Sequence, residues 1–270
     1  MAMKDAARVL VVAASDSSGG AGIGRDIETV AAFGLRSALA LTAVTVQTHD
    51  AVLDVASVEP SIVADQMKAA FSANRIGAVK IGLLPTASAV AAVATVLRRH
   101  PEIPVVLDPV LKASSGGSLG DADRAQAIVT ELFPLVSLVT PNHGELASLT
   151  DQVVAANEAA VLAQGQMLID AGATAVLVKG GHGTGAFATD FLLRPDAAPV
   201  PFHAPRLDAE MRGTGCMLAS AIAAGLARGE VLERCIATSK NFVHARIAAM
   251  PQRESWCKES LPGERVEIGL

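Results

Sequence analysis

The segment Arg212-Gly213-Thr214-Gly215-Cys216 joins a loop almost bare of side chains to the alanine-rich run Met217 to Gly229. Glycines let a backbone turn tightly and approach a ligand closely. The first turn of a helix adds unpaired N–H groups and about half a positive charge. Gly213, Thr214 and Gly215 are therefore candidates for an anion hole suited to a migrating phosphoryl group. Cys216 stands in the same field, which should ionise its thiol more readily than a free one of pKa about 8.5. It is a candidate base for a hydroxyl proton. Taken alone, the segment fits a small residue packed at a helix start just as well.

A second glycine-rich loop, Ser15 to Gly24, carries small hydroxyls and is followed by Asp26. It matches neither the spaced dinucleotide fingerprint nor the Gly-Lys-Ser/Thr phosphate loop, which counts against a nicotinamide oxidoreductase and a P-loop ATPase. Asp26 is either a ligand contact or a carboxylate favoured by a helix dipole. In "TPNHGE", Asn142 and Glu145 are three apart and share one side of a helical turn. Such oxygen ligands suit a magnesium ion that keeps most of its waters, and a helix cap followed by a solvated glutamate has the same spacing. Asp108 ends an apolar run before Pro109, where a carboxylate is costly unless a cation or donor meets it. Lys179 runs into Gly180-Gly181-His182, a cradle for nucleotide phosphates or a plain surface turn. No histidines have zinc spacing; His100 and His244 read as helix-surface residues, and Met67 and Met250 as core.

These residues need a scaffold, and the chain alternates short β-branched runs with alanine-rich helical patterns. Strands are predicted over 8–14, 37–46, 78–82, 105–108, 138–140 and 175–179. Helices are predicted near 24–33, 60–73, 86–99, 121–132, 156–171, 214–228 and 231–249. Strands that are apolar throughout, with crossover helices between them, indicate a mainly parallel sheet covered on both faces. A hairpin fits Gly185 to Leu193, with Phe187, Phe191 and Leu193 inward, and marks the sheet edge. In such sheets ligands gather at the carboxyl ends of strands. The candidates sit there: Asp16 to Gly24, Gln47, Gly82, Asp108, Thr140 to Glu145, and Lys179 to His182 each follow a strand.

Bulk properties exclude several classes. The chain has 270 residues, a net charge of −5 and no tyrosine, and it shows no basic patch or aromatic series, so nucleic acid is not an expected partner. The run Val9 to Ala14 is too short for a membrane span and reads as a buried strand, not a signal peptide. Three cysteines without a Cys-x-x-Cys pair argue for reduced thiols and a cytoplasmic protein. No composition shift marks a second domain.

Five segments occur in this order over almost the whole chain: "SDSSGGAGIGRDIETVAAFG", "VVLDPVLKASSGG", "LVTPNHGE", "VLVKGGH" and "RGTGCMLASAIAAGLARG". Together they resemble the hydroxymethylpyrimidine/phosphomethylpyrimidine kinases of thiamine biosynthesis, a branch of the ribokinase superfamily. The resemblance implies a three-layer α/β/α ribokinase-like fold, one domain over 1–270, without a separate lid domain and usually a homodimer. It implies ATP and Mg2+, and phosphorylation of the hydroxymethyl group of an aminopyrimidine, in many members followed by phosphorylation of the monophosphate. Cys216 then takes the base position and Gly213, Thr214 and Gly215 the anion hole. Asn142 and Glu145 match an Asn-x-x-Glu element that organises the metal and its waters, Asp108 lies near metal and phosphates, and Lys179 is the nucleotide-side lysine. Asp26 and Gln47 match residues that hydrogen-bond the pyrimidine, Gly22 belongs to the same pocket, and Leu83 and Val110 match its apolar walls. The chain departs from the pattern at Thr48, Met217 and "PNHGE". In "ASSGG", Lys112 is displaced, which weakens the expectation of a second phosphorylation. Pyridoxal kinases share much of the pattern. A non-catalytic pyrimidine sensor would keep Asp26 and Gln47 but need neither Cys216 nor Asn142 and Glu145.

Overall fold

Continuous apolar strands demand cover on both faces, and the first strand meets that demand. In β1 (Arg8–Ala13), Val9, Val11 and Ala13 face one helical layer while Leu10 and Val12 face the other. The computed structural model describes residues 6–111, 123–181, 185–209 and 211–250. Lys112, His182, Trp256, Cys257 and the tail from Pro251 lie outside the described residues.

The elements that follow are α1 (Gly22–Ala32), β2 (Arg36–Leu41), β3 (Ala43–Gln47), β4 (Val52–Ser57), α2 (Pro60–Ala73), β5 (Ile76–Ile81) and α3 (Ala87–Leu97). Then come β6 (Val105–Leu107), α4 (Arg124–Ala127), which continues irregularly to Leu135, β7 (Leu138–Val139), α5 (His143–Thr150) and α6 (Glu158–Asp170). The chain closes with β8 (Val176–Val178), β9 (Phe187–Leu193), β10 (Val200–Pro205), α7 (Thr214–Ala227) and α8 (Leu232–Ala248). Eight strands form one sheet in the order β10-β9-β8-β7-β6-β5-β1-β2. Strands β2, β1, β5, β6, β7 and β8 run parallel, and β9 and β10 add an antiparallel edge. Helices α2, α3 and α6 contribute to the core on one face, and α1, α7 and α8 to that on the other. Met67 is fully buried in the first of these cores, as expected. Among the described residues, no helix is long and apolar enough to cross a membrane.

Two sequence expectations fail, each for a local reason. The strand predicted over 37–46 is two strands. Thr42 turns the chain off the main sheet, its hydroxyl donating to the Leu83 carbonyl (2.6 Å) and its amide to that of Ala13 (3.1 Å). Beyond it, β3 pairs with β4 in a separate two-stranded hairpin. The alternation of residue types runs through Thr42 unbroken, so no turn signal marks the break. The hairpin placed within Gly185 to Leu193 is instead one strand, β9, whose partner β10 follows a turn at Asp196, where φ is 54°. Leu193 packs inward, while Phe187 is exposed on the edge.

Candidate active site

The carboxyl ends of the parallel strands open into a cleft of about 1950 Å³, roughly twice the upper range of single-ligand pockets, which is about 1,000 Å³. Room for two ligands follows. Along it lie Gly22, Gln47, Leu83, Asp108, Val110, Asn142, Glu145, Lys179 and the whole Gly213 to Cys216 segment. Chain order alone did not put these together; the sheet does.

At the centre is the start of α7. Gly213 is its N-cap with φ 73°, a left-handed value suited to glycine, and a Cβ there would lie 2.5 Å from the Gly20 carbonyl oxygen. Its carbonyl accepts the Met217 amide at 2.9 Å, the first bond of the helix, so the earlier amides have no intrahelical acceptor. Gly215 matters for a different reason. A Cβ on it would stand 3.0 Å from Lys179 Nζ and 3.6 Å from Asp108 Oδ2. Its missing side chain lets a cation and a carboxylate hang over the helix mouth.

Lys179 Nζ is 2.7 Å from Asp108 Oδ1 and 3.6 Å from Glu145 Oε2. Asp108 is buried at the end of β6, and burial works against its ionisation. Lys179, then Lys80, with a hydrogen bond from Thr140, outweigh that and hold the carboxyl below its ordinary value. Lys179 is likewise desolvated, yet Asp108 and Glu145 keep it above the usual lysine value. For Glu145, burial dominates over Lys179, and its carboxyl is raised. Asn142 and Glu145 do form a helix cap: each side chain accepts a hydrogen bond from the other's backbone amide, at 2.9 and 2.8 Å. The glutamate is not solvated, however, being 8% exposed. Cap and site use the same two residues. Two carboxylates beside the mouth of α7 are a hard-oxygen donor set that fits a magnesium ion keeping several waters. Among the described residues, no group of three or more His, Cys, Asp or Glu side chains could hold an ion unaided.

Cys216 lies on the cleft with partial exposure, and the nearby Gly22 backbone amide favours its ionised form. The expectation of an easily ionised thiol is overturned. Burial, joined by the carboxylates of Asp26 and Asp108, pushes it up to about 12 against the opposing pull of Lys80. A neutral thiol is the resting form.

Asp26 also departs from expectation. It is fully buried, with Oδ2 taken by Lys80 Nζ (2.9 Å) and Oδ1 by the Ser220 hydroxyl (2.8 Å), and it is not part of the cleft wall. Both carboxylate oxygens are engaged inside the protein, away from the cleft where a pyrimidine would lie. Desolvation lifts the Asp26 carboxyl despite Lys80, whereas Lys80, desolvated too, is held above the usual lysine value by Asp26, Cys216 and Asp108. The two shifts pull the pair's charge state in different directions. The lysine ammonium is the fixed charge, because the carboxylates of Asp26 and Asp108 both act on it.

The phosphomethylpyrimidine kinase family profile matches residues 16–259. The chain belongs to this family. It is 42% identical over 246 residues to the hydroxymethylpyrimidine/phosphomethylpyrimidine kinase of Rhizobium meliloti, covering 91% of this chain and 92% of that one. With the enzyme of the same description from Salmonella typhimurium, identity is 39% over 240 residues, covering 88% and 90%. Its fold superposes on phosphomethylpyrimidine kinase from Clostridium difficile (TM-score 0.77, 29% identity, 89% of this chain and 99% of that one). It also superposes on an ADP complex of Bacillus subtilis pyridoxal kinase (TM-score 0.83, 25% identity, 92% and 94%). The fold is ribokinase-like, and the chain is an ATP-dependent phosphotransferase.

Around the kinase centre, the structure adds residues that the sequence did not single out. On one side, Leu83 joins Ala14 and Ala43 in a small apolar cluster against Val52, Val55 and Val110, so the β3–β4 hairpin adds to the walls expected for a ring. Gln47 lies on that hairpin, its amide accepted by Ser17 Oγ at 2.8 Å. Arg212 ties three segments together: Nη1 donates to Ser18 Oγ and the Thr48 carbonyl, both at 3.0 Å, and Nη2 is 3.4 Å from Asp16. On the other side, Asp190 accepts the Gly180 amide (2.9 Å) and pairs with Lys240 (2.7 Å). A Cβ on Gly180 would fall 1.9 Å from the Thr189 carbonyl oxygen, so this turn admits only glycine. His244 on α8 and Met250 just beyond its end, read from sequence as surface and core, both border the cleft. A signal for Lys80 and Asp190 was present, a charge inside an apolar strand; Arg212 carried none.

Proposed function

We propose that this kinase transfers the γ-phosphoryl group of ATP to the hydroxymethyl group of 4-amino-5-hydroxymethyl-2-methylpyrimidine, and acts on the resulting monophosphate, in thiamine biosynthesis, as a single kinase domain. One observation carries the reading. The bare mouth of α7, with Cys216 behind it and Lys179 and Asp108 over it, lies between an apolar-walled half of the cleft and the Gly180 turn. Gln47 and the walls Leu83 and Val110 hold the ring, and Lys179 and the Gly180–Gly181 backbone hold phosphates. Magnesium, when bound, neutralises phosphate charge, and Asp108, Glu145 and the Asn142 cap would hold it through water. As the hydroxyl oxygen bonds to phosphorus and the bridging bond to ADP breaks, the hydroxyl proton passes to the Cys216 sulfur, which has first released its own thiol proton to solvent. The amides at 213–215 receive the charge on the phosphoryl oxygens. ATP, magnesium and the aminopyrimidine alcohol, incubated with the protein and followed by mass analysis, should give the mono- and diphosphates. No product would refute the assignment. The likeness to pyridoxal kinase favours a second acceptor, pyridoxal or pyridoxine, and competition between the alcohols decides which ring is preferred.

The outer face of the β3–β4 hairpin carries Val44 and Val46 opposite Ala56 and Asp54, with Leu53 66% exposed beside them. Apolar groups exposed together mark contact surfaces, and a second copy of this chain is the proposed occupant. Light scattering should find a dimer that Val46→Glu splits; an unchanged dimer would rule this face out.

A further inference from the structure

Behind Cys216 lies a lysine that the transfer chemistry above does not use. Lys80, on β5 inside the sheet, is 0% exposed and among the largest fully buried side chains of the described residues. Stability alone does not account for it, since a buried ion pair is often no better than apolar residues of equal volume. Geometry gives it another role. Ser220 is one helical turn beyond Cys216, so the two share a face of α7. From Ser220 a continuous chain runs through Asp26 Oδ1 (2.8 Å) and Asp26 Oδ2 to Lys80 Nζ (2.9 Å). A Cβ on Gly82 would lie 2.8 Å from that Nζ. Its absence lets the ammonium curl toward the carboxyl end of its own strand and reach the cleft floor.

We propose that Lys80 is a positioning residue for phosphoryl transfer: Asp26 and Ser220 lock its ammonium beneath Cys216, giving the sulfur a fixed positive charge on its protein side. The proposal rests on Cys216 being the base. The charged groups around the sulfur are Lys80 from β5, Asp26 from α1, Asp108 beyond β6 and Lys179 beyond β8. Two cations and two carboxylates nearly cancel, so the sign of the field depends on which of them stands nearest. Lys80 keeps its proton throughout; the thiol gives its proton to solvent, and the sulfur then takes the one from the acceptor hydroxyl.

The test is the rate of iodoacetamide alkylation at Cys216 in the full chain, followed by peptide mass analysis across neutral to alkaline pH. Lys80→Met should slow alkylation about tenfold or more, and Asp26→Asn should speed it, because each removes one charge of opposite sign close to the sulfur. Shifts in the same direction, or unchanged profiles, overturn the proposal. Should Lys80→Met fail to fold, Asp26→Asn decides alone: faster alkylation supports a sulfur governed by these buried charges, and equal or slower alkylation refutes it. With the alcohol as acceptor, kcat of Lys80→Met should fall while KM for ATP holds. Alkylation needs no turnover, so an active Cys216→Ala would remove the base assignment without touching the measured field.

Discussion

Replacing Gly215 by alanine separates stability from catalysis. Gly215 is the second residue of α7, and its φ is not in the left-handed region, so the backbone accepts a side chain. In a helix the exchange gains up to about 1 kcal/mol, or roughly 2–4 °C in melting temperature for a chain near this length. Against this, the new methyl group would meet Lys179 Nζ at 3.0 Å. That ammonium cannot swing freely, since Asp108 holds it at 2.7 Å. Crowding offsets part of the gain, and the net change in stability should stay within about 1 kcal/mol. Catalysis should behave differently. A methyl group between the helix mouth and Lys179 stops one phosphoryl oxygen from reaching both, which removes one preorganised donor, worth about 10²–10³ in kcat. ADP release with the alcohol acceptor measures the loss, and calorimetric melting measures the fold. The acceptor KM should hold, because Leu83 and Val110 are not among the atoms that the methyl approaches. A variant with kcat within about threefold of wild type would show that the helix mouth does not receive the phosphoryl group. A melting point lower by more than about 5 °C would show that the loss is structural.

Three further outcomes follow from the same geometry. Cys216→Ala should lose about 10²–10⁴ in kcat, the usual contribution of a positioned base, with circular dichroism unchanged; near-full activity would remove the assignment. Gly180→Ala should lower the melting point by roughly 6–12 °C, as expected for overpacking by about 3 kcal/mol, because the new Cβ meets the Thr189 carbonyl, which is backbone and cannot yield. For Asp108 the folded pKa lies below its ordinary value of 3.8, so its contribution is present above that pH and lost as pH falls toward the folded value. Asp108→Asn should therefore be less stable than wild type at neutral pH, by about 3 kcal/mol for a broken buried pair, and the gap should close in acid. A gap independent of pH would mean that Lys179 is not the partner that matters.

What could be read from the chain, and what could not, divides along a physical line. Periodicity reports burial, so the continuous runs in β1 and β5 and the helix over 60–73 were legible, and with them the parallel sheet and the edge on which its ligands gather. Glycine reports backbone freedom, so the mouth of α7 was legible from Gly213-Thr214-Gly215. Neither signal reports a change of partner, and Thr42 turns the chain into a second sheet through hydrogen bonds that any threonine could make. The same limit governs the charges. A carboxylate near a glycine loop looks like a ligand contact until its partners are known, and the partners of Asp26 lie 54 and 194 residues away. Cys216 is the sharpest case. Its place at a helix start argued for easy ionisation, but the helix field is a local effect of one turn, whereas burial and the two carboxylates are tertiary and run the other way. The sulfur's reactivity is therefore set by a balance of buried charges drawn from four segments of the chain. Lys80, in the core of the sheet, stands with Lys179 on the favourable side of that balance, and no local reading of the cysteine's own segment would have found it.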